Sequence, residues 1–167
     1  TWATLRSDGG NPDPVGIDLW EVGNEVYGGK PEAGGAECAS FGWEDVWTCD
    51  GTDYTLGTDE HDGYLDIRAA MIAVDSEIEV GAVGVAGPGE WTDWGNEVID
   101  GAGDDLDFYV VHDYGFDSSP TVSEALQRPG NLWPSVLGEV AEVLPADVPI
   151  AVTEYNLVSF EAGDIGQ

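Results

Sequence analysis

Four apolar runs punctuate the chain, and stretches with helical spacing lie between them. The first sits inside V-G-I-D-L-W-E-V-G-N-E at 15–25. Ile17, Leu19, Trp20 and Val22 make it dense and partly β-branched, which predicts a strand buried on both faces. Gly23 breaks the run, and Asn24 and Glu25 follow at its C-terminal end. Glu79 to Gly87 predicts a strand of small residues, closed by Pro88, Gly89 and Glu90. Leu106 to Tyr114 and Val148 to Tyr155 predict the third and fourth strands. Between them, Asp62 to Ser76 has Leu65, Ile72, Tyr64, Ile67, Met71 and Val74 spaced for one buried helical side. Trp94, Val98 and Ala102 at steps of four predict a helix from Trp91 to about Ala102. Pro129 and Pro134 interrupt a further helical stretch, which settles from Ser135 to Leu144.

The margins are less regular. Thr1 to Leu5 reads as the last turn of a helix, because Trp2 and Leu5 fall three apart. Ser7 to Pro14 is turn chemistry. Val26 to about Thr58 reads as a long irregular insertion, rich in Gly and carrying Phe41, Trp43, Trp47 and Tyr54. A loop that long usually serves a function, and Trp43 or Trp47 could stack on a ligand or simply pack the loop down. The tail from Asn156 to Gln167 is acidic and unassigned. Strands alternating with helices predict right-handed crossovers and a parallel sheet.

Length and charge narrow the function. The 167 residues suit one domain, 1–167. The chain carries 34 acids against 4 bases, a net charge of −30. That excludes a nucleic-acid partner, which needs clustered Lys and Arg, and disfavours an anionic membrane. Such a surface repels itself unless salt screens it, so the reading is a folded protein adapted to high salt; an ordinary acidic protein is the alternative. Cys38 and Cys49 would close a surface loop if oxidised, which fits an extracellular protein; two free thiols remain open. No Cys/His metal spacing, dinucleotide fingerprint, P-loop or nucleophile elbow occurs, and nothing asks for a cofactor. The acids Asp50, Asp53, Asp59, Glu60 and Asp62 do not match an EF-hand and read as a solvated face rather than a calcium site.

Chemistry gathers where the strands end. The first delivers Asn24 and Glu25, the third His112, Asp113 and Tyr114, and the fourth Glu154, Tyr155 and Asn156. In a parallel barrel those ends converge on one mouth. Two carboxylates from separate strands are the minimum equipment for cleaving a glycosidic bond. Each also has a plain alternative: Glu25 as a solvated loop residue, His112 as a satisfied core histidine, Tyr114 as packing, Glu154 as a structural carboxylate.

W-E-V-G-N-E at 20–25 resembles the W-E-x-G-N-E signature of clan A retaining glycoside hydrolases. V-T-E-Y-N at 152–156 is similar to the end of that clan's seventh strand. The nearest likeness is to family 51 α-L-arabinofuranosidases. The resemblance implies a (β/α)8 TIM barrel of which this chain supplies roughly strands four to seven. It implies Glu25 as acid/base and Glu154 as nucleophile, acting on a polysaccharide or oligosaccharide. Asn24, His112, Tyr114 and Trp91 would bind or orient the sugar, with Tyr114 also holding the nucleophile. Half a barrel has open edges, so the chain is expected to be a fragment, a cleaved product or one chain of an assembly. The alternative function is a non-catalytic carbohydrate-binding or structural subunit of an extracellular assembly.

Overall fold

The computed structural model describes residues 1–13, 16–28, 46–47, 49–116 and 120–158. Val15, Cys38, Phe41, Trp43 and the tail beyond Val158 lie outside them. Four parallel strands form one sheet in chain order: β1 (Leu19–Val22), β2 (Glu79–Val83), β3 (Phe108–Phe116) and β4 (Ile150–Val158). The helices are α1 (Trp2–Asp8), α2 (Gly51–Leu56), α3 (Tyr64–Ile72), α4 (Glu90–Ala102) and α5 (Val122–Val143). None of the described helices is long and apolar enough to cross a membrane.

The core lies between the sheet and the helices. Val80 and Ala82 of β2 and Tyr109 and Val111 of β3 are fully buried. They pack in one cluster with Trp94, Val98 and Ile99 of α4 and with Val136 and Val140 of α5. Strand alternation sends Phe108, Val110, His112 and Tyr114 to the opposite, inner face. β2 is thin where the neighbouring rings are thick. A Cβ on Gly81 would stand 2.0 Å from the Phe108 ring, and one on Gly84 equally close to the Tyr109 ring. Only a bare backbone fits at either place.

Buried aromatic polar groups finish the hydrogen bonding where the strands splay. The Tyr54 hydroxyl donates to the Val22 carbonyl at 2.8 Å and accepts from the Val83 N–H at 2.9 Å, bridging the ends of β1 and β2. The Trp94 indole donates to the Val83 carbonyl at 2.8 Å. At the other end of the sheet, Arg68 of α3 grips Asp107 with two hydrogen bonds, at 3.0 and 2.7 Å. It reaches Asp105 at 2.8 Å. Burial pushes the Asp107 carboxyl up, but the bonds from Arg68 and from the Val80 N–H outweigh that and hold it below its ordinary range.

Three expectations change, and of the two readings open for Trp47 packing holds. β1 is not buried on both faces: Leu19 is 62% and Trp20 41% exposed, because β1 forms an edge of the described sheet. The segment 26–58 is not irregular throughout. It contains α2, capped by the Asp50 side chain on the Asp53 N–H at 2.9 Å, so one of the clustered acids is a helix cap. α5 is one 22-residue helix running through Pro129 and Pro134. A Thr121–Glu124 capping box starts it, and the stripe of Val136, Val140 and Leu144 seats it on the core. Trp47 packs on the body: its ring meets Tyr54 edge-on at 5.3 Å, and its indole donates to the Asp62 carbonyl at 3.3 Å.

Replacing Tyr54 with Phe removes one hydroxyl and leaves a buried N–H and C=O unpaired. The expected cost is about 1–3 kcal/mol of stability, read from the urea midpoint of native protein and variant. Equal midpoints would contradict the bridging role.

Candidate active site

The site is assembled from the C-terminal end of β1 and the second halves of β3 and β4. Gly23, at φ +101°, turns the chain sharply after β1. A Cβ there would lie 2.8 Å from Val26. Glu25 follows in the left-handed region at φ +50°, a conformation that costs a non-glycine residue free energy. The burial of Val26 and Tyr27 holds it, with the Gly28 N–H donating to the Glu25 carbonyl at 3.1 Å. The turn folds Glu25 back towards β3.

There it meets His112, whose side chain is only 7% exposed. Nδ1 of His112 lies 3.1 Å from Glu25 Oε1 and 3.6 Å from Glu154 Oε2. Nε2 lies 3.1 Å from Thr153 Oγ1 and 3.6 Å from Glu21 Oε1. The Tyr114 hydroxyl donates to the other oxygen of Glu154, Oε1. One carboxylate oxygen each from Glu25 and Glu154 and one ring nitrogen of His112 fall within 4.8 Å of one another. Among the described residues no other group of three His, Cys, Asp or Glu converges this way. In the central group both imidazole nitrogens are engaged, Nδ1 with Glu25 and Nε2 with Thr153.

An irregularity in the β3–β4 register makes this possible. Val111 pairs with Val152, but His112 pairs with Glu154, so Thr153 is an extra residue on β4. In a regular strand Thr153 and Glu154 would face opposite sides. The irregularity lets both reach His112.

Electrostatics follow from the geometry. The carboxylates of Glu21 and Glu25 raise the His112 imidazole to about 9, against the cost of its burial. The hydrogen bond from His112 lowers the Glu25 carboxyl despite partial burial. Tyr27, beside Glu25, is pushed up by burial and by that negative charge.

The structure brings together Glu25, Glu154, His112 and Tyr114. Asn24 is exposed beside them, outside the hydrogen-bonded group of described residues. Trp91 joins the site through Tyr27, ring centroids 4.8 Å apart. It does not start a regular helix as its spacing suggested. Trp91, Thr92 and Asp93 are all left-handed, at φ 54°, 66° and 74°, and the Thr92 hydroxyl donates to the Cys49 carbonyl at 2.6 Å. Three participants were not singled out from the sequence: Glu21, Thr153 and Tyr27. Glu21 did leave a signal, as a charged residue inside an otherwise apolar strand, one position from its end and with inward parity. Cys49 is 4% exposed and no free cysteine occurs among the described residues, while Cys38 lies outside them.

No protein-family model and no curated protein sequence matches the chain. Solved structures do. A thermostable GH51 α-L-arabinofuranosidase from Thermotoga petrophila superposes with a TM-score of 0.60 over 98% of this chain at 24% identity. AbfB, a family 51 α-L-arabinofuranosidase from Bifidobacterium longum, does so with a TM-score of 0.55 over 93% at 22% identity. The chain spans about 30% of the length of each. The fold is part of a (β/α)8 barrel, with four parallel strands and their helices.

Protonated His112 stabilises the folded state. With its pKa raised from 6.5 to about 9, that contribution is complete below pH 6.5 and is lost as pH rises through about 9. The Glu25 contribution has the opposite sense: its lowered carboxyl stabilises above pH 4.5 and fades as pH falls. The melting temperature of native protein minus that of His112→Gln is therefore expected to be greatest between pH 4.5 and 6.5 and to shrink towards pH 9. A difference independent of pH would contradict the assignment.

Proposed function

We propose that this chain carries the catalytic strand ends of a retaining glycoside hydrolase acting on α-L-arabinofuranosyl-type substituents of a polysaccharide or oligosaccharide. The observation that carries the reading is the approach of Glu25 and Glu154. They arrive from strands with two others between them in the sheet, and a carboxylate oxygen of each lies within 4.8 Å of the other. Retaining enzymes hold their carboxyl groups about 5–5.5 Å apart, whereas inverting ones leave roughly 6.5–9.5 Å for a water.

In this reading Glu154 attacks the anomeric carbon, and Tyr114 orients it through Oε1. Glu25 delivers a proton to the departing oxygen, then takes one from the water that releases the sugar. Its resting partner is the His112 Nδ1 edge, so the two residues hold the exchangeable proton between them. Asn24 is available to the hydroxyl beside the anomeric carbon, and Trp91, backed by Tyr27, offers a face to a sugar ring.

The remaining barrel strands are the expected cover for the inner face, where Leu19, Phe108 and Thr153 line an open groove of about 450 Å³. An extracellular, saline setting accords with the charge of −30, and a Cys38–Cys49 disulfide with the buried, non-free Cys49.

Glu154→Gln is expected to abolish turnover. Glu25→Ala is expected to lose about 10²–10⁴-fold on a polysaccharide while sparing 4-nitrophenyl α-L-arabinofuranoside, whose leaving group needs no proton. Initial rates on both substrates check this. Native-like rates in both variants would end the proposal.

A further inference from the structure

Glu21 poses a problem that the two-glutamate mechanism does not solve. Its Oε1 is buried and makes no hydrogen bond among the described residues. A carboxylate oxygen withdrawn from water without a partner is costly, and an opposite charge within reach is what offsets it. The chain has four Lys and Arg in all. Arg68 is committed to Asp105 and Asp107. Arg128 donates to the Gly115 carbonyl and lies over the Phe116 ring. Among the described residues, the group that faces Glu21 Oε1 is the Nε2 edge of His112, at 3.6 Å.

We propose that Glu21 is a positioning residue: its carboxylate, facing Nε2 of His112, fixes a proton on the imidazole and so keeps the Nδ1–H directed at Glu25. This deepens the glycosidase reading and rests on it for its kinetic consequence only. A neutral imidazole could offer a hydrogen to Thr153 and leave Nδ1 bare as an acceptor, and Glu25 would then face a lone pair. An imidazolium carries a hydrogen on both nitrogens, so Nε2 donates to Thr153 with its charge facing Glu21 at 3.6 Å, and Nδ1 donates to Glu25. The titratable groups facing the ring are Glu21 and Glu25 from β1 and its turn and Glu154 from β4, with Tyr27 behind Glu25 and Tyr114 behind Glu154.

The proton count closes. In the first half-reaction the Nδ1 proton passes through Glu25 Oε1 to the glycosidic oxygen, leaving a neutral imidazole beside the Glu25 carboxylate. In the second, Glu25 takes a proton from the attacking water and passes it to Nδ1, which restores the imidazolium. Glu21 takes no part in the transfer and touches no substrate.

The test is a nitrogen-15 NMR titration of the His112 ring in the intact protein, with the signal assigned by its absence in His112→Gln. In Glu21→Gln, which keeps the shape and removes the charge, the His112 midpoint is expected to fall by about one pH unit or more. The alkaline limb of kcat/KM should move down with it, while kcat at the acid side holds. Glu21→Asp, which withdraws the carboxylate by one methylene, should shift in the same direction by less. That variant decides the question if Glu21→Gln does not fold. An unchanged His112 midpoint in whichever variant folds overturns the proposal. The ring signal reports without turnover, so a protein inactive on glycosides would end the glycosidase reading and leave this measurement intact.

Discussion

A parallel strand cannot ordinarily show two successive side chains to the same neighbour, because its pleat sends them to opposite faces. The site depends on a local escape from that rule. One extra residue, Thr153, enters β4 opposite the step from Val111 to His112, and the phase of the strand changes there. Thr153 and Glu154 then both address His112, one at each ring nitrogen. Without that slip, Thr153 and Glu154 would point to opposite faces, and one carboxylate or one anchor would leave the group. The imidazole is thus held by β4 through an irregularity and by β1 through the strained turn at Gly23 and Glu25. Two unfavourable backbone features converge on one ring.

The surrounding packing supplies the rigidity that such features need. The sheet is thin at β2, and the rings of Phe108 and Tyr109 occupy the space that ordinary side chains would fill. The tyrosine and tryptophan polar groups do what further strand pairing would do. Tyr54 closes the gap between β1 and β2, Tyr109 serves the Val85 N–H at 2.9 Å, and Trp94 caps the Val83 carbonyl. The ends that present Glu25 and His112 are therefore tied from the helical side, while their inner side stays open to solvent.

Much of this was written in local pattern. The four strands and the alternation that makes them parallel could be read from apolar runs, and Glu25, His112, Tyr114 and Glu154 from their position at strand ends. What could not be read depends on long-range contacts. α2 has little apolar periodicity; an Asp50 cap and a Gly51 N–H bonded to Glu97 at 2.8 Å define it. The prolines of α5 carry a strong local message that capping and packing overrule. The exposure of Leu19 and Trp20 reflects which strands surround β1, which composition does not encode. Glu21 gains its partner only where β3 brings His112 opposite it, across 91 positions of sequence. The left-handed run at 91–93 has no glycine to announce it.

The fit of aromatic rings over glycines has a consequence for how such a chain can diverge. Gly81 and Phe108 share one volume, and so do Gly84 and Tyr109, across a strand boundary rather than along one strand. Neither member can drift alone: a side chain gained on β2 displaces a ring on β3, and a ring lost on β3 opens a void over bare backbone. Descendants of this chain would therefore inherit these positions as linked pairs, a large residue on one strand answered by a small one on the next. The helix surfaces, where Val74, Val122 and Leu126 stand in the open, carry no such mutual debt among the described residues and are free to change singly.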